Sequence, residues 1–353
     1  MDLAACLSEL SEAPGISGYE GPVREVIRAA WAGLVDDLET DRLGSLIGTR
    51  YGVGEEPRPR LLVAAHMDEI GLMVTRIEGA FLRVTSVGGV DRRVLLGQPV
   101  IVHGTEPIPG LVGSRPPHVL SATERKKVPD FDDLVIDTGL SARQLKNRVR
   151  VGTPVSFARQ AVRLENSLLS GKALDNRASV AALTLFLHEL QPIHHRWDVL
   201  AVANVQEEVG LIGAQTLAWH TQPDLAVVVD TTFGVGTGVT ADKGFKLGEG
   251  PAIIIGPNAH PKLFDMLRKA AKRMEVDLHP EPAPRSSGTD GWVVQVSREG
   301  VPTAILSIPI RNMHTPVEVV SLKDIGRVAR LLAGFVRELD EDTLGQLALD
   351  SDD

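Results

Sequence analysis

The residues able to do chemistry stand at the ends of apolar runs. LLVAAHMDEIGL, residues 61–72, carries five apolar residues into His66, with Asp68 and Glu69 just behind. WDVLAVANVQEEVG leads to Glu207 and Glu208, DLAVVVD to Asp230, and TAILSIPIRNMH to His314. Asp175 stands in KALDNR, a loop that feeds a helix. Burying a polar group without a partner costs roughly 2–7 kcal/mol. Such residues therefore need either solvent or a compensating partner.

Two histidines and several carboxylates, with no cysteine, form a donor set that suits Zn²⁺, Co²⁺ or Mn²⁺. One carboxylate can bridge two ions about 3.5–4 Å apart, and such pairs polarise a carbonyl and activate water. An acid outside the donor set must then take the proton from that water. Neighbouring residues of a strand point to opposite sides. On that reading Glu207 and Glu208 divide between ligand and base. A metal compensates His66, and Asp68 orients its ring from behind.

These groups converge only if their strands share a sheet. Helical spacing over residues 2–12 and 20–35, a turn at PGISGYEG and the buried run LLVAAH open an α/β pattern that returns from Leu168 onward. Such alternation implies a mostly parallel mixed sheet covered by helices. Sites on α/β sheets form beyond the carboxyl ends of the strands. Between them the character changes. GLMVTRIEGAFLRVTSVGG, QPVIVHG, PIPGLVGS, DLVIDTG and GTPVSFA are short β runs separated by Gly and Pro, as in a small β barrel or sandwich. The expected division is a discontinuous α/β domain, residues 1–69 and 163–353, with residues 70–162 inserted as a β domain. Arg125, Lys126 and Lys127, in a polar loop of that insert, read as a solvated face.

The length of 353 residues fits two domains or one with an insertion. With 43% hydrophobic and 24% charged residues but only 4% aromatics, the core must be aliphatic and alanine-rich. A net charge of −9 argues against nucleic acid and anionic membrane as partners. The single cysteine, Cys6, forms no internal disulfide and reads as helix packing, which suits a reducing, cytoplasmic setting. Neither a signal peptide nor a membrane span is expected. GVGTGVT lacks dinucleotide-binding spacing. HELQPIHH is no zinc motif because Pro192 breaks the helix, and His194 and His195 read as surface residues. The acidic tail LDSDD reads as frayed.

HMDEIGL, KALDNR, QEEVGLIGA, VVVD and RNMHTPVEVV, in this order and spacing, resemble the motifs of the tetrahedral (TET-type) metallo-aminopeptidases. Some members of that family carry the name glutamyl aminopeptidase, others endoglucanase. The resemblance covers nearly the whole chain, through SGYEG, GSRPPHVLS and SSGTD. It implies a co-catalytic zinc-peptidase-like α/β domain with an inserted PDZ-like domain that makes subunit contacts. It implies that His66 and Asp230 bind one metal, that Glu208 and His314 bind a second, and that Asp175 bridges them. Glu207 would be the general base and Asp68 the support of His66. A cis peptide bond is implied at Asp175–Asn176. So are homo-oligomers from dimers to hollow dodecamers, and short peptides with a free amino terminus as substrates. One departure lies at the segment after GTD, which usually begins with a small residue such as alanine and here reads Asp290, Gly291, Trp292. The tryptophan would narrow the pocket if that loop borders it.

The expected function is therefore metal-dependent removal of the N-terminal residue of peptides. A deacylase of N-acyl amino acids, a glycoside hydrolase and a non-catalytic metal scaffold stay open as alternatives. Glycoside hydrolysis needs two carboxyl groups but no histidines at strand ends. Lys243, Lys246, Arg285 and Arg311 lie in segments able to approach the pocket, where they would favour an acidic N-terminal residue.

Overall fold

A computed structural model describes residues 1–349; the last four residues of the LDSDD tail lie outside them. The strands are β1 (Asp37–Thr40), β2 (Leu46–Arg50), β3 (Arg60–His66), β4 (Gly71–Glu78), β5 (Phe81–Val87), β6 (Pro99–His103), β7 (Pro107–Ser114), β8 (Leu134–Asp137) and β9 (Pro154–Phe157). They continue with β10 (Val162–Leu164), β11 (Leu168–Gly171), β12 (Asp198–Asn204), β13 (Leu225–Phe233), β14 (Ala252–Ile255), β15 (His279–Pro282), β16 (Thr303–Arg311) and β17 (Glu318–Ser321). The helices are α1 (Leu3–Glu12), α2 (Gly21–Trp31), α3 (Ala142–Arg148), α4 (Leu174–Leu190), α5 (Ile212–Thr221), α6 (Pro261–Arg273), α7 (Gly291–Gln295), α8 (Leu322–Glu338) and α9 (Thr343–Leu347).

One large mixed sheet runs β1-β2-β12-β3-β13-β16-β17-β11-β10, with β14 and β15 attached beside β16. Its centre, β12-β3-β13-β16, is parallel. Those strands are buried on both faces, which is why they read as continuous apolar runs rather than alternating ones. Leu61, Val63, Ala65, Val227 and Val229 pack on one face against α1, α2, α4, α6 and α8. Leu62, Ala64, Ala226 and Val228 pack on the other against α5 and α7. Both cores are dominated by aliphatic and alanine side chains, as the low aromatic content requires. Between β3 and β10 the chain forms a separate six-stranded antiparallel barrel, β4-β5-β8-β7-β6-β9, closed by the β9–β4 pairing. In β7 burial alternates strictly over Pro107–Val112, so one face fills the barrel and the other meets solvent.

Several local expectations are corrected. Asp230 lies three residues before the end of β13, and His314 lies three residues beyond β16, at φ +60°. Glu207 and Glu208 sit in the loop after β12, past Gln206 at φ +58°. Loop geometry, not strand alternation, therefore sets where each of them points. His195 is buried, not a surface residue, because its Nδ1 pairs with the Trp197 carbonyl at 2.7 Å, while His194 is exposed. Cys6 is half-buried and packs on the larger core. The turns after Gly234 lead into no helix before α6.

Candidate metal centre

The register of the parallel strands builds the site. Asn204 of β12 pairs with His66 of β3, and Ala64 pairs with Val228 of β13. Two residues further on, Asp230 reaches the level of His66, where it pairs with Ser307 of β16. Asn204, His66 and Asp230 therefore continue the Leu200–Val202, Leu62–Ala64 and Ala226–Val228 rows of the smaller core. The same face that is packed by apolar residues lower down becomes polar at the carboxyl edge.

Three loops complete it. Asp175 stands at the start of α4, where it and Asn176 are not yet helical and their peptide bond is cis. Asn176 Nδ2 donates to the Val229 carbonyl at 2.9 Å, and Ser179 Oγ to that of Asp230 at 3.3 Å, so this segment is fastened to β13. Asp68 is fully buried and accepts from Ser17 Oγ at 2.6 Å, Glu207 N at 3.0 Å and Glu208 N at 3.2 Å. It thereby fixes the Glu207–Glu208 loop as well as facing His66 Nδ1 at 3.3 Å. Glu318 accepts from Asp175 N at 3.0 Å and His314 N at 2.8 Å. A single carboxylate thus ties together two backbones that are far apart in sequence. The barrel contributes the Gly89 carbonyl, 3.2 Å from His314 Nδ1. A Cβ at Gly89 would lie 2.8 Å from that nitrogen, so the close approach needs glycine.

All seven residues singled out in the sequence meet here. His66 Nε2 is 3.4 Å from Asp175 Oδ1, 3.8 Å from Glu207 Oε2 and 3.9 Å from Asp230 Oδ1. His314 Nε2 is 3.4 Å from Asp175 Oδ2 and 3.5 Å from Glu208 Oε1. The two oxygens of Asp175 thus face different histidines. Donor sets His66/Asp175/Asp230 and Asp175/Glu208/His314 share this aspartate, and a third set joins His66, Glu207 and Glu208. These separations are long for hydrogen bonds. The three at 3.4–3.5 Å match the roughly 3.3–3.5 Å expected between donor atoms around a tetrahedral ion with bonds near 2.0–2.1 Å, and those from His66 to Glu207 and Asp230 are a few tenths of an ångström longer. The donor set therefore fits divalent metal.

The electrostatics point the same way. Burial holds Glu207 in its neutral form, with Asp230, Asp290 and Glu208 adding repulsion, and its carboxyl is pushed up to about 10. Burial likewise raises Glu208 to about 7 and Asp230 well above the usual carboxylate range. Asp175 moves the other way: burial opposes ionisation, but His314 and His66 outweigh it and lower its carboxyl. Burial also disfavours charge on His66, yet Glu207, Asp175 and Asp68 win and raise it. No lysine or arginine among the described residues forms an ion pair with Glu207, Glu208 or Asp230. A bound cation would supply the missing positive charge and favour every carboxylate in its ionised form.

The site opens into a cleft of about 520 Å³, whose far wall includes Thr232, Phe233, Glu281, Ser287 and Thr289. Trp292 does not line it and stands exposed on α7, so the expected narrowing is absent. Lys243, Lys246, Arg285 and Arg311 do not line it either. Lys246 instead pairs with Glu249, and Arg311 donates to the Val235 carbonyl. Sequence reasoning passed over Ser17, Gly89, Asp290, Glu281 and Glu318. Ser17 and Asp290 lie in the SGYEG and SSGTD motifs and Gly89 in a glycine pair, whereas Glu281 carried no local signal. Glu318 had a signal of its own, a lone acid in the otherwise apolar PVEVV.

A family model described as M42 glutamyl aminopeptidase matches residues 44–331. The lysyl aminopeptidase of Pyrococcus furiosus is 36% identical, covering 94% of this chain and 96% of its own length. The crystal structure of a TET aminopeptidase from a marine sediment archaeon superposes with a TM-score of 0.92 at 31% identity, covering 98% of this chain and 99% of that one. The TET1 peptidase of Pyrococcus horikoshii, which can assemble into a tetrahedron or a large octahedral shell, gives a TM-score of 0.83 at 32% identity, covering 96% and 100%. With strand register, donor set and whole-length similarity in agreement, this chain belongs to the M42 glutamyl aminopeptidase family of peptide hydrolases.

Proposed function

We propose that this protein removes the N-terminal residue of short peptides, using two divalent metal ions. The observation that carries the reading is the sharing of Asp175 between two donor sets, one ending on His66 and the other on His314. His66 and Asp230 would hold one ion, Glu208 and His314 the other, with Asp175 between them. Zn²⁺ or Co²⁺ suits these donors best, with Mn²⁺ next. When bound, the ions polarise the scissile carbonyl and ease deprotonation of water.

The protein's own groups do the rest. Glu207 is the general base: it lies 3.8 Å from His66 and is not among the donors around His314. It accepts the proton of the attacking water and passes it to the leaving amine. Asp68 keeps the His66 ring in place and holds the Glu207 and Glu208 backbones in register with it. Glu318 sets Asp175 and His314 from behind. The tetrahedral assembly of the Pyrococcus horikoshii relative supports a homo-oligomer, between a dimer and a dodecamer, as the working form.

The test is hydrolysis of an aminoacyl-p-nitroanilide panel by the metal-loaded protein, with Glu207→Gln in parallel. Release that needs metal and collapses in the variant, with metal still bound, is the expected result. Equal inactivity of both on every substrate, with metal bound, would send the reading to acylated amino acids and glycosides instead.

A further inference from the structure

The two histidines of the metal centre are braced from different parts of the molecule. Around His66 the braces belong to the α/β domain. Asp68, two residues on, faces His66 Nδ1 at 3.3 Å, and Thr231 N donates to Asp230 Oδ1 at 2.8 Å. His314 differs. Glu318 accepts from its backbone N, which fixes the loop but not the ring. The ring's own partner is the Gly89 carbonyl of the barrel, 3.2 Å from Nδ1 and 225 positions away in the chain. A carbonyl only accepts, so Nδ1 carries the proton. Nε2, which faces Asp175 and Glu208, keeps its lone pair for an ion. The His314 side chain is 35% exposed against 2% for His66, so packing alone holds it less firmly.

Gly88 meets the other donor of the same set. A Cβ built there would lie 3.5 Å from Glu208 Cβ and 2.7 Å from Ile70 Cγ2, so the turn lies over Glu208. Both glycines follow β5, and their loop packs Val90 on the barrel core and buries Leu95 in it. The turn therefore moves with the barrel. Among the described residues no hydrogen bond from residues 71–157 reaches His66 or Asp230.

We infer that the inserted barrel completes one of the two proposed metal sites and not the other, with Gly89 as the positioning residue that aims His314. The inference rests on the two-ion reading above and names what controls one of its sites. A seated barrel holds the ring for the ion between Glu208 and His314. A barrel that lifts away releases that ring and leaves the surroundings of His66 and Asp230 intact.

Gly89→Ala is the direct test. Gly89 is not at positive φ, so alanine fits its backbone, yet the added Cβ would lie 2.8 Å from His314 Nδ1. Gly113→Ala, in β7 with only Val135 Cγ2 near the new Cβ at 3.9 Å, is the control. Zn²⁺ is titrated against a metal-buffering chelator and bound metal is counted by elemental analysis. Wild type and control are expected to hold two ions. In Gly89→Ala one ion is expected to weaken by about 10–100-fold and the other by less than about threefold. Two ions held as in wild type, or both weakened equally, would overturn the inference. Coupling is reciprocal, so a second measurement needs no variant. In wild type, amide hydrogen exchange of segment 86–91 is expected to slow as one of the two ions binds and not as the other does. Equal slowing by both ions, or by neither, also overturns it. A wild type that holds only one ion overturns the two-ion reading and this inference with it.

Discussion

Two buried charge clusters begin at neighbouring residues and differ in one respect. Asp68 belongs to the metal centre; Glu69 belongs to a cluster with Lys172 and Arg177. Lys172 Nζ lies 2.6 Å from Glu69 Oε2, Arg177 Nη2 lies 3.4 Å from Glu69 Oε1, and Gly15 N donates to the same Oε1 at 2.9 Å. That cluster brings opposite charges together: Lys172 meets Glu69 at hydrogen-bond distance, and Arg177 stands at ion-pair distance from it while donating to the Met67 and Leu10 carbonyls. The metal centre has an excess of acids at 3.4–3.9 Å and, among the described residues, no lysine or arginine paired with Glu207, Glu208 or Asp230. The closed cluster nevertheless serves the open one. Lys172 and Arg177 bracket Asp175 in sequence, and Glu69 follows Asp68, so the pairings pin from behind both segments that carry candidate site residues. A buried charge group that satisfies itself is a fastener, and one that does not is a site waiting for a ligand.

The contrast can be broken from either side. Glu207→Gln keeps the fold and the donors but removes the base, and should lower kcat by about 10²–10⁴-fold. Steady-state kinetics with metal content measured on the same sample checks this; a loss below tenfold would remove Glu207 from the mechanism. Glu69→Gln should act on the other axis. It leaves Lys172 and Arg177 buried without their partner and should cost about 3–5 kcal/mol in urea unfolding. The folded fraction of that variant should keep a near-normal kcat, and a kcat loss to match Glu207→Gln would mean that the two clusters are one functional unit.

Supporting residues give smaller effects. Asp68→Asn and Glu318→Gln leave every proposed ligand in place and should weaken metal binding by about 10–100-fold. Competition with a metal-buffering chelator reads this directly, and an unchanged affinity would make both residues purely structural.

The smallest effect is in pH. In the metal-free chain Glu208 rises from 4.5 to about 7 through burial, and His314 from 6.5 to about 9, chiefly through Asp175. In those windows the folded chain binds more protons than the unfolded one, so its stability falls as pH rises. Asp175 acts oppositely, adding stability that is lost as pH falls below the ordinary carboxylate range. Metal needs deprotonated ligands. The rise in Tm on adding Zn²⁺ should therefore grow between about pH 5 and pH 8. A shift that shrinks with pH would contradict these proton assignments.

What was legible in advance follows from what a chain writes locally. Apolar runs ending in histidine or acid, a Gly/Pro-rich β stretch between two α/β segments, and a donor set without cysteine all stand in the order of residues. They gave the fold class and pointed to seven residues that the structure brings together, because a strand buried on both faces leaves polar chemistry nowhere but its edge. Tertiary structure decided the rest. Register alone sets Asp230 level with His66, although the strand runs on to Phe233. Loop backbones at positive φ, not strand alternation, separate Glu207 from Glu208 and turn His314 inward. Glu318, Gly89 and Glu281 acquire meaning only from partners far away along the chain. A side chain's type belongs to the sequence; which charge it faces, and at what distance, is fixed by packing.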